Sequence, residues 1–330
     1  MRIALVHDDT PNAHYRAQVP MAALSARGHV VEPLRELDGR RPPWDAVHLY
    51  RLANPWHRET VRRLREQGVA VVYDIDDDLG ALAARGIGGF SPGSRRKLRK
   101  AFDDSLALGR AASVVTTPSP VIAEVYRAAG VARTAVVENY VLPRRQHAGA
   151  RHPGLVIGCV AGREHGPDFK RLKIDQALER VLERHPQVRV VTVGVQLRLK
   201  HPRYTYRQWI PLDRLIEHGR SFDVGFAPLV DNPFNRARSN VKLKEYAAAG
   251  VPWLASPVGP YAGMGEHEGG ELVADGDWCD AFLRIVEDYP RRRRLAANAR
   301  RWSAAQSLSV IGARWESVYR SALATAAGRR

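Results

Sequence analysis

Residues 222–257 read FDVGFAPLVDNPFNRARSNVKLKEYAAAGVPWLASP, and the interpretation of the whole chain starts from this stretch. The apolar run Phe222–Ala227 is typical of a buried strand, and the run Trp253–Ser256 predicts a second strand. Between these runs, apolar residues recur about once per helical turn until Gly250 and Pro252 end the pattern. A strand, a loop, a helix and a strand in this order predict half of an open parallel sheet.

The loop before the predicted helix is polar. Ser239 is predicted to cap the helix, because its hydroxyl can accept a hydrogen bond from an amide of the first turn. Open parallel sheets bind ligands at the carboxyl ends of their strands, where helix N-termini offer free amides and a positive dipole. The loop carries polar and cationic side chains at Asn232, Asn235, Arg236 and Arg238. The stretch therefore predicts an anion site ahead of the helix.

This order of residues resembles the donor half of group 1 glycosyltransferases with the GT-B fold. The resemblance rests on a strand ending in Ala-Pro-Leu, a polar loop, Ser-Asn-x-Lys and then Lys-x-Glu-Tyr-Ala-Ala-x-Gly-x-Pro. It implies that Glu245 holds the ribose of a nucleotide sugar. It also implies that the helix N-terminus, at Ser239, Asn240 and Lys242, faces the diphosphate. An ordinary amphipathic helix with a solvated Glu245 is the alternative interpretation.

One position departs from the family pattern. The family has a pair of glutamates spaced eight apart, and the earlier position falls on Ala237 in this chain. Asp231 is a candidate replacement for the missing carboxylate. The departure bears on the contacts with the sugar and on the stereochemistry more than on the nucleotide site. The resemblance implies retention of configuration.

A second motif begins the predicted donor domain. The strand Leu155–Val160 is followed by AGREHGPDFKRLK, and the family has Gly-Arg and then a Lys at this place. Arg163 and Lys170 match these two cations with slightly altered spacing, and the resemblance implies that they bind the diphosphate. Fixed cations can stabilise the negative charge that develops on a departing nucleoside diphosphate without a bound metal. A solvated loop is the alternative.

An acidic cluster follows the predicted strand Val69–Tyr73, in the sequence YDIDDDL. Carboxylates at such density repel one another unless a positive group lies nearby. In one interpretation some of them are catalytic or acceptor-binding carboxylates, and Asp74 and Asp76 are singled out because the resembled group 1 enzymes have an important polar residue at about this strand end. In a second interpretation they form the metal-binding DxD of the single-domain GT-A type, where carboxylate oxygens hold a divalent ion. A helix cap followed by a solvated turn is the third.

The length and composition limit the classes of protein to which the chain can belong. A chain of 330 residues with 45% hydrophobic residues is long enough for two domains with substantial cores. No apolar run is long enough to cross a bilayer, and MRIALVHDDT predicts a first strand rather than a signal peptide. The two cysteines, Cys159 and Cys279, indicate a reducing compartment. We expect a cytoplasmic protein, peripheral to the inner face of the membrane if its basic surface is functional.

The net charge of +16 is concentrated in two places. Residues 291–330 contain ten Arg and one Glu, and a smaller cluster covers residues 95–100. Such patches suit an anionic membrane surface or a nucleic acid. Arg outnumbers Lys by 44 to 7, so the codon bias of a GC-rich genome is an equally good explanation.

The sequence of the first half of the chain predicts alternating strands and helices. Pro20 lies within the first helical span, so either the helix kinks there or its regular part begins near Val19. The span Gly80–Ser94 is rich in Gly and predicts a loop, and a basic helix is expected from about Arg95 to Gly109. Further strands are predicted at Arg2–Val6, His29–Leu34, Ala46–Tyr50, Ser113–Thr117 and Thr134–Val137.

The prediction is an α/β protein with two Rossmann-like, doubly wound domains facing a central cleft, of the GT-B type. The boundaries expected are 1–145 for an acceptor-side domain, 146–154 for a linker and 155–305 for a donor domain. A last helix at 306–330 is expected to pack back on the first domain.

The function expected from the resemblance is metal-independent transfer of a sugar from a nucleoside-diphosphate sugar to an unidentified acceptor. No cofactor is expected, since the nucleotide sugar is itself the donor substrate. Two alternatives come from other classes. The first is a nucleic-acid-binding protein, or a glycosyltransferase that acts on DNA or RNA, which the net charge suggests. The second is a noncatalytic protein that binds a nucleotide sugar, which the missing glutamate suggests.

Overall fold

The computed structural model describes residues 1–8, 10, 12–37, 43–84, 91–142, 154–208 and 221–327. The chain divides into two compact units, and each is built from more than one segment. The first unit comprises Met1–Tyr140, Arg236–Ser239 and Ser307–Arg330. The second comprises Val141–Asn235 and Asn240–Gln306. Most of the predicted linker 146–154 lies outside the described residues. So do residues 212–219, where the sequence predicts a helix, and Trp209, which by the family resemblance is a candidate for contact with the base.

The first unit contains a six-stranded parallel sheet with the strand order β2-β1-β3-β4-β5-β6. Its central strands β3 and β4 are buried along their whole length, as expected for strands covered on both faces. The strands are β1 (Arg2–His7), β2 (Val30–Pro33), β3 (Ala46–Tyr50), β4 (Ala70–Asp74), β5 (Val114–Thr117) and β6 (Thr134–Val136).

The helices that follow in the first half are α1 (Val19–Ser25), α2 (Pro55–Glu66), α3 (Leu79–Ala84), α4 (Pro92–Ala111) and α5 (Pro120–Ala128). Helix α1 follows a π-helical turn at His14–Gln18, and Pro20 lies in its first turn. A proline in the first turn removes no intrahelical hydrogen bond. The second alternative, a regular helix that begins near Val19, is therefore confirmed.

The loop predicted over Gly80–Ser94 is wrong at both ends, because helix α3 begins at Leu79 and helix α4 begins at Pro92. The Asp78 carboxylate accepts a hydrogen bond from the Ala81 amide at 2.9 Å, which satisfies a free donor of the first turn. A Cβ atom on Gly80 would lie 2.9 Å from the Phe102 ring, so the glycine permits close packing against α4. Glycine here serves a helix contact rather than a turn.

The second unit contains another six-stranded parallel sheet, with the order β12-β11-β10-β7-β8-β9. The strands are β7 (Leu155–Val160), β8 (Val188–Val193), β9 (Tyr204–Arg207), β10 (Val224–Ala227), β11 (Trp253–Ala255) and β12 (Gly270–Leu272). Sequence analysis missed β12, since three residues that begin with glycine give no strand pattern. A Cβ atom on Gly270 would lie 2.0 Å from the Trp253 ring, so the missing side chain lets β12 pair with β11.

The helices of the second unit are α6 (Gly166–Arg171), α7 (Ile174–Arg184), α8 (Pro233–Arg236), α9 (Val241–Ala249), α10 (Trp278–Glu287) and α11 (Tyr289–Ala304). The last residue of α8, Arg236, is the first residue of the segment Arg236–Ser239, which belongs to the first unit. Helix α9 ends at Gly250, whose φ of +73° lies in the left-handed region that glycine adopts without strain. On one face of the sheet, α7 and α10 pack in a core that includes Phe226, Trp278 and Phe282.

The last helix, α12 (Leu308–Ala327), packs within the first unit against α1 and β4. Its residues Ile311, Trp315 and Tyr319 are fully buried. The Tyr319 hydroxyl lies 2.7 Å from Nδ1 of the buried His48 on β3, and the His48 ring lies 5.3 Å from the Trp315 ring. A helix from the end of the chain therefore covers part of the first sheet.

His48 makes the stability of the first unit dependent on pH. Burial lowers the pKa of His48 from 6.5 to about 3, because the charged imidazole would lose its hydration. Between these two values the unfolded chain binds a proton that the folded chain does not. The free energy of unfolding therefore falls as the pH falls from about 6.5 towards 3.

We expect His48→Asn to flatten this part of the pH profile by up to about 1.4 kcal/mol per pH unit, since an asparagine can keep the bond to Tyr319 without titrating. Urea unfolding at several pH values measures the effect, with the exposed His267→Asn as the control. An unchanged slope in His48→Asn would contradict the prediction.

Among the described residues, no helix is both long enough and apolar enough to cross a membrane.

Candidate functional site

The N-terminus of helix α9 lies where the sequence predicted an anion site, with one correction. Asn240, and not Ser239, is the residue that precedes the helix, and no side chain caps its first turn. The Ser239 hydroxyl instead accepts a hydrogen bond from the Asn139 amide group at 3.0 Å, within the first unit. The prediction of Ser239 as the cap is wrong because this tertiary contact takes its hydroxyl.

Helix α9 brings two of the predicted donor-binding residues together. Lys242 and Glu245 are one turn apart and form an ion pair with 2.5 Å between Nζ and Oε2. Both side chains are largely buried, with 18% and 9% exposed. A charged pair at the first turns of a helix, beside uncapped amides, combines a cation with a positive dipole. It is suited to an anionic or hydroxyl-rich ligand.

Arg163 and Lys170 follow strand β7 at its carboxyl end. Arg163 begins a short 3₁₀ turn directly after Gly162, and Lys170 lies in the last turn of α6. Both are exposed, and neither has an ion-pair partner within the part of the chain that the structure describes. Because both are exposed cations that follow β7 without an ion pair among the described residues, they are available to a ligand.

A set of buried polar contacts in the second unit, centred on Asn235, was not predicted from the sequence. Asn235 is fully buried, and its side-chain amide donates to both oxygens of Asp168 at 3.2 Å and to the Val230 carbonyl at 2.8 Å. His165 Nδ1 lies 3.6 Å from Asp168. These contacts tie the loop after β10 to helix α6. The Asn232 side-chain oxygen also accepts a hydrogen bond from the backbone amide of Asn235 at 3.0 Å. The two loop asparagines therefore stabilise the conformation of the loop itself.

In the first unit, Asp74 ends strand β4 in a fully buried ion pair with Arg16. Arg16 donates to both Asp74 oxygens at 2.9 and 2.6 Å, and the Thr116 hydroxyl donates to the same carboxylate at 2.5 Å. Burial lowers the pKa of the Arg16 guanidinium, but the charge and hydrogen bonds of Asp74, together with the charges of Asp76 and Tyr50, raise it above the ordinary value. Arg16 also donates to the Val137 carbonyl and to Asn139. Every Asp74 oxygen therefore has an internal donor.

Asp76 lies in a different environment, two residues further on. Its Oδ2 accepts a hydrogen bond from Asn12 at 2.7 Å, while its buried Oδ1 has no hydrogen-bond partner among the described residues. Arg51 Nη1 lies 3.6 Å from this Oδ1. Arg51 also lies 3.5 Å from Asp77 and 3.9 Å from Asp8. Burial lowers the pKa of Arg51, and the carboxylates of Asp76 and Asp77 more than reverse that effect.

The predicted site residues thus fall into distinct groups. Lys242 and Glu245 touch each other, and Arg163 and Lys170 follow the next strand of the same sheet, β7. Asp74 and Asp76 belong to the first unit, where they have separate cationic partners. In the described ranges, no group of three or more His, Cys, Asp and Glu side chains is arranged to hold a metal ion.

The smaller basic patch lies on the first half of helix α4. Its five cations are exposed, and Lys100 pairs with Asp104 one turn away. They are Arg95, Arg96, Lys97, Arg99 and Lys100. An association of this surface with an anionic membrane or a nucleic acid stays a prediction.

Comparisons with known proteins identify the fold. No protein-family model matches the sequence, and no curated protein matches it either. The chain is similar to the solved structure of sucrose-phosphate synthase from Thermosynechococcus elongatus, with a TM-score of 0.66, 18% identity and coverage of 98% of this chain and 99% of that one. Anabaena HepE in complex with UDP gives a TM-score of 0.64 at 15% identity, over 97% and 100% of the two chains.

A third structure, the α,α-trehalose 6-phosphate synthase from Burkholderia multivorans, gives a TM-score of 0.58 at 18% identity over 100% and 98% of the two chains. The shared architecture is α/β with two parallel six-stranded sheets, which is the GT-B type of fold. The fold class predicted from the sequence is confirmed.

Proposed function

We propose that this protein is a glycosyltransferase that transfers a sugar from a nucleoside-diphosphate sugar to an acceptor hydroxyl or amine. The likeness to Anabaena HepE carries the proposal, because the two chains share one fold over almost their entire lengths and the HepE structure contains UDP. The residues that resemble the donor site of group 1 glycosyltransferases follow β7 and β10, and all of them except Ser239 lie in the second unit.

Each of these residues has a defined part in the proposal. Arg163 and Lys170 bind the diphosphate, and their charges stabilise the negative charge that grows on the leaving group. The uncapped amides at Asn240 and Lys242 add hydrogen bonds and the helix dipole. Glu245 accepts hydrogen bonds from the ribose hydroxyls, while its ion pair with Lys242 holds the carboxylate in place.

The proposed reaction requires no metal. Two observations support this part of the proposal. The Asp74 carboxylate is occupied by Arg16 and Thr116, so Asp74 and Asp76 do not present a joint pair of oxygens to a cation. The second is that Arg163 and Lys170 supply two positive charges where the diphosphate is placed. Retention of configuration stays part of the proposal, by resemblance to the family.

The two aspartates receive different roles. Asp74 was predicted as catalytic together with Asp76, and no observation tests that role. The contacts support Asp74 as a positioning residue that fixes Arg16. Among the described residues, Asp76 Oδ1 has no hydrogen-bond donor and lies 3.6 Å from Arg51, so Asp76 is the better candidate for a role towards the acceptor.

A thermal-shift panel of UDP, GDP, TDP, CMP and ADP, each with and without EDTA, tests the proposal. A nucleotide at 100 times its Kd adds about 2.7 kcal/mol to the stability of the folded protein. We expect one diphosphate to raise Tm, the shift to survive EDTA, and Glu245→Ala to reduce it. A shift abolished by EDTA would replace the metal-free reaction with a metal-dependent one. Absence of any shift would contradict a nucleotide-sugar donor.

The binding panel combined with a turnover measurement distinguishes an enzyme from a noncatalytic binding protein. If a diphosphate binds but no UDP is released from a UDP-sugar with any acceptor or with water, the result would favour a binding protein. Coupled detection of released nucleoside diphosphate measures this directly.

A further inference from the structure

A groove lies between helices α7 and α10 on the surface of the second unit. Its volume is about 440 Å³, within the range of pockets that bind small molecules. None of the described residues proposed to bind the donor lines it. We call it the α7–α10 groove, and six of its lining residues carry the argument: Arg171, Lys173, Gln176, Arg180, Asp275 and Trp278.

The fold places this groove at the carboxyl edge of the second sheet. Helix α7 follows β7 and the short helix α6, and α10 is the next helix after β12. Lys173 directly precedes α7, and Gln176 and Arg180 follow it at helical spacing. Asp275 and Trp278 flank the start of α10. Since open parallel sheets bind ligands at this edge, the groove lies where a ligand is expected.

The α7–α10 groove carries a positive surplus. Three of its side chains, Arg171, Lys173 and Arg180, are cations and Asp275 is an anion, which leaves two positive charges in excess. All four are exposed, and within the described ranges none of them forms an ion pair. The acids that flank them on the two helices are not part of the lining: Asp175, Glu179, Asp277 and Asp280. The groove therefore favours an anion.

The dipoles of the two helices add to this charge. In the part of the chain that the structure describes, neither Lys173 nor Asp277 makes a side-chain capping bond to the helix that it precedes. One amide of α7, that of Gln176, donates to the Asp175 carboxylate at 3.0 Å. The N-termini of helices of 11 and 10 residues thus lie beside the groove, and their positive ends attract negative charge.

Trp278 provides an observation that is independent of charge. It is part of the lining, although only 1% of it is exposed. Its indole Nε1 is buried and has no hydrogen-bond acceptor among the described residues. The indole group can only donate, and a buried donor without an acceptor costs free energy. An oxygen of an anion seated against the indole supplies that acceptor.

Lys173 occupies a backbone conformation that favours glycine. Its φ of +53° lies in the left-handed region, where a side chain is strained. Strain of this kind is concentrated at functional sites. A lysine at this position is explained by its charge in the groove, since the backbone alone would favour glycine.

We infer that the α7–α10 groove binds the phosphate monoester group of a small ligand, as a second site separate from the proposed donor site. A phosphate monoester carries nearly two negative charges at neutral pH, which matches the surplus of the groove. Arg171, Lys173 and Arg180 donate to its oxygens, and Gln176 and Asp275 are available to hydroxyl groups of the ligand. The inference does not rest on the proposed function, because it uses none of the donor residues.

The test compares three probes by isothermal titration: glucose 6-phosphate, inorganic phosphate and glucose, each with and without saturating UDP. We expect glucose 6-phosphate to bind in both conditions and glucose to bind at least about tenfold more weakly, because it lacks the charge-assisted hydrogen bonds. Inorganic phosphate that binds as tightly as glucose 6-phosphate supports the site and assigns the affinity to the phosphate group alone. Weaker binding of inorganic phosphate supports it and adds contacts with the rest of the ligand.

Arg171→Ala/Lys173→Gly should weaken glucose 6-phosphate by at least about tenfold and leave the affinity for UDP unchanged. Lys173→Gly alone should keep or raise Tm, since glycine adopts the left-handed conformation without strain, so its loss of affinity is not a loss of folding. The matched control Arg198→Ala/Lys200→Ala removes the same charge from two exposed positions elsewhere in the second unit.

Four results would overturn the inference. The first is that neither phosphate probe binds, and the second is that glucose binds as tightly as glucose 6-phosphate. The third is an affinity for glucose 6-phosphate that the groove variant leaves unchanged or that the control lowers equally. The fourth is displacement of glucose 6-phosphate by UDP, which would place the probe in the donor site.

Discussion

Arg16→Met is expected to destabilise the first unit by roughly 3–5 kcal/mol, the cost of leaving a buried charge without its partner. Arg16 is fully buried, and four of its hydrogen bonds reach Asp74, Val137 and Asn139. Its guanidinium also lies 5.2 Å from the centre of the Trp315 ring. The substitution would strip the Asp74 carboxylate of two donors in a site that excludes water. Urea unfolding followed by the fluorescence of the tryptophans measures the loss.

Two further variants test this prediction. The double substitution Arg16→Met/Asp74→Leu removes both charges, and we expect it to recover part of the lost stability, because apolar replacements of buried ion pairs are often tolerated. Arg62→Met is the control, since Arg62 is exposed and solvent screens its pairs with Glu59 and Glu66, so they contribute little to stability. A loss in Arg16→Met no larger than that in Arg62→Met would show that the buried pair is not a main contributor.

Arg163→Ala/Lys170→Ala is expected to weaken the binding of the preferred nucleoside diphosphate by about 100-fold or more. Each charge-assisted hydrogen bond to a phosphate contributes roughly 1.5–3 kcal/mol, and a factor of 100 corresponds to about 2.7 kcal/mol. Both side chains are exposed without internal ion pairs in the described residues, so the fold should tolerate their removal. Isothermal titration with the diphosphate measures the change.

The matched control for these cations is Arg180→Ala/Arg184→Ala, which removes two exposed arginines from helix α7. It changes the net charge by the same amount but touches no residue of the proposed donor site. Equal losses of affinity in the two double variants would mean that binding depends on overall charge, and the specific roles of Arg163 and Lys170 would then be refuted.

Much of the fold was predictable because its strands are strongly apolar and its turns carry clear signals. The predicted strands at Ala46–Tyr50 and Leu155–Val160 coincide with β3 and β7, which are buried along their whole length. Short elements were not predictable. Strand β12 has three residues, and helix α3 starts in a segment whose glycine content indicated a loop. In both places a tertiary contact, with Trp253 or Phe102, outweighs the local preference.

The site was predictable only where its residues are close in sequence. Lys242 and Glu245 are one helical turn apart, so the helix pattern alone places them on one face. Arg16 and Asp74 are 58 positions apart, and their contact depends on the order of the strands. The same holds for Asn235 and Asp168, which are 67 positions apart. The acidic run at residues 74–78 was visible in the sequence, but the cations that divide it, Arg16 and Arg51, gave no signal of their own.

The segmented construction of the first unit bears on how the protein is made. The chain passes between the units after Tyr140, Asn235, Ser239 and Gln306, so the first unit is complete only when helix α12 has been synthesised. Until then, the sheet lacks the helix whose Trp315 and Tyr319 are fully buried. At ~5–20 residues per second, a ribosome needs roughly 10–40 seconds to extend the chain from Tyr140 to its end. During that interval the nascent first unit exposes apolar surface, and the second unit, whose last segment ends at Gln306, is the first that can fold completely.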